Sequence, residues 1–143
     1  MTVAAILSQK GRQVVTMGPK QPLREVCDTL ATHKIGAVVL IDAHGRIAGI
    51  LSERDIVRAL ANDGAGALDR SADVYMSTKV VTCTESETTD QVLGRMTTGR
   101  FRHMPVVRDD RLIGVISIGD VVARRIELAE REAAEMRAYI SAT

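Results

Sequence analysis

The chain repeats itself, and this limits it to a fold built from two like halves. Val14, Val15 and Thr16 recur as Val80, Val81 and Thr82, a shift of 66. Val26 matches Val92 and Thr32 matches Thr98 at the same shift. Residues 35–41 (IGAVVLI) align with 101–107 (FRHMPVV). The turn AHGR in the first copy becomes the shorter DDR in the second, and beyond it the shift is 65. GILSERDIV at 49–57 then meets GVISIGDVV at 114–122. Register kept on both sides of a one-residue change in a turn is what duplication and drift leave behind.

Each copy reads as β-α-β-β-α. Short β-branched strands are expected at 14–16 and 80–82. Leu23, Val26, Cys27 and Leu30 stand at helical spacing and predict an amphipathic helix over 22–34; Val92, Leu93 and Met96 do the same over 90–98. Buried strands follow at 37–41 and 104–107, apolar enough to lack a polar face. The turns at Gly45 and at Asp109-Asp110 lead to strands at 47–51 and 112–116, and helices start from Ser52 and Ser117. A unit of about 60 residues buries too little surface to be comfortable alone. The fold expected is therefore mixed α/β (α+β): two copies, 8–68 and 76–133, packed sheet to sheet around a shared core as a pseudo-twofold pair.

Three stretches lie outside the repeat. Val3, Ile6 and Leu7 share one face of a short N-terminal helix. Residues 62–72 (NDGAGALDRSA) are small and polar and read as a linker. A long C-terminal helix spans about 120–140, its end (134–143) beyond the second copy. Val122, Ile126, Ala129, Ala133, Met136 and Ile140 form a heptad seam on it. Fewer than three heptads make no stable coiled coil alone. Such a helix either lies on its own domain or packs on a second subunit, and the seam favours the second.

Composition closes off several function classes. Lysine plus arginine is 19 and aspartate plus glutamate is 18, a net charge of +1, which speaks against a nucleic-acid surface. The aromatics are Tyr75, Phe101 and Tyr139, too few for a base-stacking platform. No apolar run is long enough to span a membrane, and the N-terminus does not read as a secretory signal. Cys27 and Cys83 have no CxxC partner and read as small buried hydrophobes in a reducing cytoplasm. His33, His44 and His103 share no metal-ligand spacing, so no metal is expected. No GxxxxGK[ST], GxGxxG or GxSxG occurs, and no residue pair resembles an activated nucleophile, so an enzyme is not expected.

The duplicated unit, with G-h-h-S-x-x-D at each strand-to-helix turn, resembles the CBS (cystathionine β-synthase) domain pair. The stretches that carry the likeness are GILSERDIVRAL (49–60), RFRHMPVV (100–107) and GVISIGDVV (114–122), and it extends over nearly the whole chain. Stand-alone bacterial CBS-pair proteins are similar in these places. The resemblance implies a regulatory module that binds an adenosine-containing ligand in clefts between the repeats: AMP first, with ADP, ATP, NAD(H) or S-adenosylmethionine as others. It implies a homodimer and an unidentified regulated protein on another polypeptide. It assigns the ribose hydroxyls to Asp55 and Asp120 and places Thr16 and Thr82 beside the adenosine.

The residue chemistry fits that ligand. An ionised carboxylate has acceptors for two vicinal hydroxyls. The Ser52 and Ser117 hydroxyls and the first helical N–H groups would face the same clefts. Adenine would be read by backbone and apolar walls: Val15, Ala37 and Val38 in one cleft, Val81, Met104 and Pro105 in the other. Ser-x-x-Asp is equally a helix-capping pattern, and capping competes with ribose for the aspartate. The second copy carries Arg102 and His103 where the first has Gly36 and Ala37; the first carries Arg54 where the second has Gly119. Arginine suits phosphate oxygens and histidine adds a pH-dependent charge. Alternatively Arg100 and Arg102 are solvated surface and His103 is structural. A scaffold that dimerises with empty clefts remains the competing function.

Overall fold

The computed structural model describes residues 1–142. In chain order the elements are α1 (Val3–Lys10), β1 (Thr16–Met17), α2 (Leu23–His33), β2 (Ala37–Ile41), β3 (Ile47–Ser52) and α3 (Glu53–Asp63), then two 3-10 turns at Gly64–Asp69 and Ala72–Val74. The second copy follows with α4 (Thr89–Gly99), β4 (His103–Arg108), β5 (Arg111–Ser117) and α5 (Ile118–Ala142). The fold is mixed α+β with a short helix at one end and a long one at the other.

The helix starts are written locally. Ser52 Oγ accepts from Asp55 N while the Asp55 carboxylate accepts from Ser52 N, a capping box at α3. Ser117 and Asp120 repeat both bonds at α5. Thr88 and Gln91 cap α4 in the same way. Lys34 (φ 54°) and Arg100 (φ 56°) end α2 and α4 in the left-handed region, equivalent positions in the two copies.

Each copy contributes its own sheet. β1 runs parallel to β2 (Thr16 with Val39, Met17 with Leu40), and β2 is antiparallel to β3. β4 and β5 are antiparallel. The strands expected at 14–16 and 80–82 need correction. The first begins at Thr16. The second shrinks to a single parallel bridge of Cys83 with Val106, closed by Cys83 N to Pro105 O (3.0 Å) and Val107 N to Cys83 O (2.9 Å). A further bridge, Thr82 with residue 105, would need an N–H there as donor. Val39 has one in the first copy; Pro105 has none.

The shared core is also corrected. Buried apolar side chains fall into two clusters, one to each copy. Each cluster is completed by a segment from across the pair. Val3, Ile6 and Leu7 of α1 pack with Cys83, Met96 and Ile116 of the second copy. Ala67, Ala72, Tyr75 and Met76 pack with Leu23, Leu40 and Leu51 of the first. Residues 62–72 are thus no passive linker. The glycines that open the G-h-h-S-x-x-D motifs make room for these crossed arms. A Cβ at Gly49 would lie 2.6 Å from Met76 Sδ and 2.8 Å from Ser77 O; one at Gly114 would lie 2.7 Å from Leu7 Cδ2.

Cys83 is buried in the second cluster, and burial pushes its thiol up to about 12. Burial raises the Cys27 thiol as well, so both behave as small hydrophobes. α5 is one continuous helix of 25 residues. Its only buried residue is Val121, and all residues from Ala129 to Ala142 are exposed. From Ala129 onward it therefore projects past its own domain. Among the described residues no helix is long and apolar enough to cross a membrane, and no cluster of His, Cys, Asp or Glu could hold a metal ion.

Candidate ligand-binding cleft

A cavity of about 450 Å³ opens between the two copies. Three segments wall it. The end of β3 and first turns of α3 give Ser52, Glu53, Arg54, Asp55 and Arg58; the crossing chain gives Lys79, Val80 and Val81; the turn into β4 gives Arg100, Phe101, Arg102 and His103. The size is that of an ordinary small-molecule site.

The two oxygens of Asp55 stand in different surroundings. Oδ2 accepts from Ser52 N (2.9 Å) and Ser52 Oγ (3.1 Å). Oδ1 has only Arg58 Nη1, at 3.9 Å. One oxygen holds the helix and the other is open to a hydroxyl donor. Of the first helical N–H groups, the leading one of each helix is already engaged: Glu53 N donates to Gly36 O (3.0 Å) and Ile118 N to Arg102 O (2.8 Å).

The walls carry five cationic side chains, Arg54, Arg58, Lys79, Arg100 and Arg102, against the carboxylates of Glu53 and Asp55. Among the described residues only Arg58 of these five has an ion-pair partner. Like charges crowded around one cavity without partners favour an anionic guest. His103 lies across the pair, its Nε2 3.0 Å from where a Gly36 Cβ would stand. Burial lowers its pKa from 6.5, with Lys10 acting in the same direction and Glu53 and Asp120 against it. Burial thus favours the neutral imidazole.

Arg102 and His103, carried by the second copy, stand on the wall of the Asp55 cleft. Of the expected site residues the structure brings together Ser52, Arg54, Asp55, Arg102 and His103, with Val81 beside them. Val38 and Met104 do not face a cleft; their side chains are buried in the two cores. Ala37 and Pro105 are buried strand residues, and Thr16 pairs with Val39. Thr82 contributes its carbonyl to Arg95 Nη1 (2.9 Å) and is not on the cavity wall. Ser117 and Asp120 stand apart from this cavity, where Lys10 Nζ meets Asp120 Oδ2 at 2.7 Å. Burial pushes the Asp120 carboxyl up, but the Lys10 ammonium and the Ser117 donors hold it below the usual carboxylate range. Sequence reasoning missed Glu53, Arg58, Lys79 and Lys10. Arg58 is one turn beyond Asp55 and could have been found from helical spacing; Lys79 and Lys10 arrive on the crossed arms.

The sequence pattern described as "CBS domain" matches residues 6–62 and 72–127. A CBS-domain containing protein, ATU1752, from Agrobacterium tumefaciens is 52% identical in sequence, with a TM-score of 0.85 over 87% of this chain and 92% of that one. The CBS domain protein PAE2072 from Pyrobaculum aerophilum, solved with AMP, is 29% identical, with a TM-score of 0.78 over 91% of this chain and 99% of that one. The CBS domain pair of protein MJ0100, solved with 5′-methylthioadenosine and S-adenosyl-L-methionine, is 26% identical, with a TM-score of 0.78 over 89% and 96%.

Proposed function

The chain belongs to the CBS-domain family, and from that premise we propose that it is a regulatory module binding an adenosine nucleotide in the cleft around Asp55. The observation that carries this reading is the pairing of Asp55 Oδ1, open to hydroxyl donors, with four cations that have no ion-pair partner, all on one cavity. Asp55 suits ribose, and Arg54, Lys79, Arg100 and Arg102 suit phosphate. Val80 and Val81 offer the apolar wall an adenine needs. AMP is the first candidate; ADP, ATP and NAD(H) share the same two features, and none requires a metal from the protein. The ligands of PAE2072 and MJ0100 have adenosine in common, which supports this class. The cations here favour its phosphorylated members.

The same reading makes the protein a cytoplasmic homodimer that acts on a separate partner protein. Two cysteines without a disulfide suit a reducing compartment. Ligand would act by binding one arrangement of the assembly better than another. The test begins with protein unfolded to release any carried ligand, which is identified by mass spectrometry. Calorimetry with AMP follows on wild type and on Asp55→Ala. A loss of tenfold or more in affinity is expected, since a hydrogen bond to a charged group contributes ~1.5–3 kcal/mol. Unchanged affinity in Asp55→Ala would remove the ribose role.

A further inference from the structure

We propose that Lys10 is a built-in occupant of the second cleft, so that each chain takes one nucleotide, at Asp55. This rests on the nucleotide reading above and adds which of the two related clefts is used. The repeat makes Ser117 and Asp120 the counterparts of Ser52 and Asp55, and Val115 the counterpart of Ile50. Lys10 and Met76, on the two crossing arms, are likewise equivalent. The arms treat their clefts differently.

At the first cleft, Ser77 pairs with Ile50 through backbone alone, N to O in both directions (2.9 and 3.0 Å). Met76 folds down onto Gly49. No side chain of the arm is bonded to Asp55. At the second cleft the arm is α1, and its last residue sends an ammonium to both counterpart acceptors: Val115 O at 2.7 Å and Asp120 Oδ2 at 2.7 Å. The Lys10 ammonium shares Asp120 Oδ2 with the capping Ser117 N–H. A ribose entering there meets a carboxylate whose charge is already paired, and it offers only neutral hydroxyls in return.

Lys10 is delivered by a well-anchored helix. Val3, Ile6 and Leu7 are buried in the second core, and Gly11 N closes the helix end on Leu7 O (2.8 Å). Gln9 reaches Glu127 on α5. The basic side chains of the first cleft are only partly duplicated. Arg100, Arg102 and His103 of the first cleft have Lys34, Gly36 and Ala37 as their counterparts. The counterpart of the Asp55 site thus carries the chain's own cation.

Two measurements test this. The first needs no ligand: the Asp120 carboxyl is titrated by carbon-detected NMR in wild type and in Lys10→Ala. The titration midpoint should rise in Lys10→Ala; an unmoved midpoint means the ion pair is absent and overturns the proposal while leaving the nucleotide reading intact. The second is calorimetric stoichiometry with AMP. Wild type should bind one AMP per chain, Asp55→Ala should lose that binding, and Lys10→Ala should exceed one per chain. Two AMP per wild-type chain, or a Lys10→Ala protein still limited to one, overturns the built-in occupant. No AMP binding by any variant overturns the nucleotide reading and this inference with it.

Discussion

Single residues decide the chemistry of the cleft, and His103 is the one whose charge can change near neutral pH. Burial is the larger cause of its lowered pKa, joined by Lys10 and Arg102, with Glu53 and Asp120 opposing. The folded protein therefore resists a proton that the unfolded chain accepts near 6.5. The contribution of His103 to stability is full above that pH and is lost as pH falls below it. Denaturation of wild type and His103→Gln from pH 7.5 to 5 should show a shallower acid loss in the variant. The imidazole midpoint, read by NMR, should lie below 6.5 without ligand; a midpoint at or above it contradicts the burial argument. At this scale the sequence was partly legible. Ser-x-x-Asp at 52–55 and 117–120 named both the caps and one of the two carboxylates on the cavity wall, Asp55. The partner of Asp120 was not legible, because Lys10 is 110 residues away and nothing in its neighbourhood signals an ion pair.

Elements meet at the motif glycines. The strand β3 passes under the arm of the second copy so closely that a Cβ at Gly49 would strike Ser77 O at 2.8 Å, a backbone atom held by its own bonds to Ile50. Met76 could turn aside; the carbonyl could not. Gly49→Ala should therefore cost ~1–3 kcal/mol, the usual range for overpacking. Gly66→Ala, where nothing lies within 4 Å, should stay within ~0.5 kcal/mol. Urea denaturation of the pair checks this, and equal midpoints would mean that the arms are not packed as described. The elements themselves were legible because hydrophobic period and turn residues are local: the helices expected over 22–34 and 90–98 are Leu23–His33 and Thr89–Gly99, and the strand expected at 37–41 is Ala37–Ile41. Their exchange across the pair was not. Periodicity told which face of α1 is apolar, through Val3, Ile6 and Leu7, but not that the second copy covers it. The missing strand at 80–82 was readable in principle from Pro105, which stands where the first copy has Val39.

For the whole molecule the unspent surface is α5. Val122 is 45% exposed, Ile126 54% and Met136 60%, all on one seam, while charged residues such as Glu130, Arg131 and Glu135 flank it. Arg124 and Arg131 pair with Glu127 along the helix, which supports its first turns without covering the seam. A helix this polar on its flanks would not hold its length in water from propensity alone, and its own domain covers only its start at Val121. A second copy laid against the same seam would bury Ile126 and Met136, each contributing ~1.5–3 kcal/mol. The proposed homodimer should therefore depend on residues beyond Glu127 without depending on them entirely, since a seam under three heptads long needs other contacts. Truncation after Glu127 should leave the fold of both copies, whose cores end at Val121, and weaken self-association. Light scattering over a dilution series reads the difference. A wild-type chain that is monomeric at tens of micromolar, with or without AMP, refutes the dimer. A truncated chain that associates as tightly as wild type places the interface on the two copies themselves and leaves the seam of α5 for a different partner.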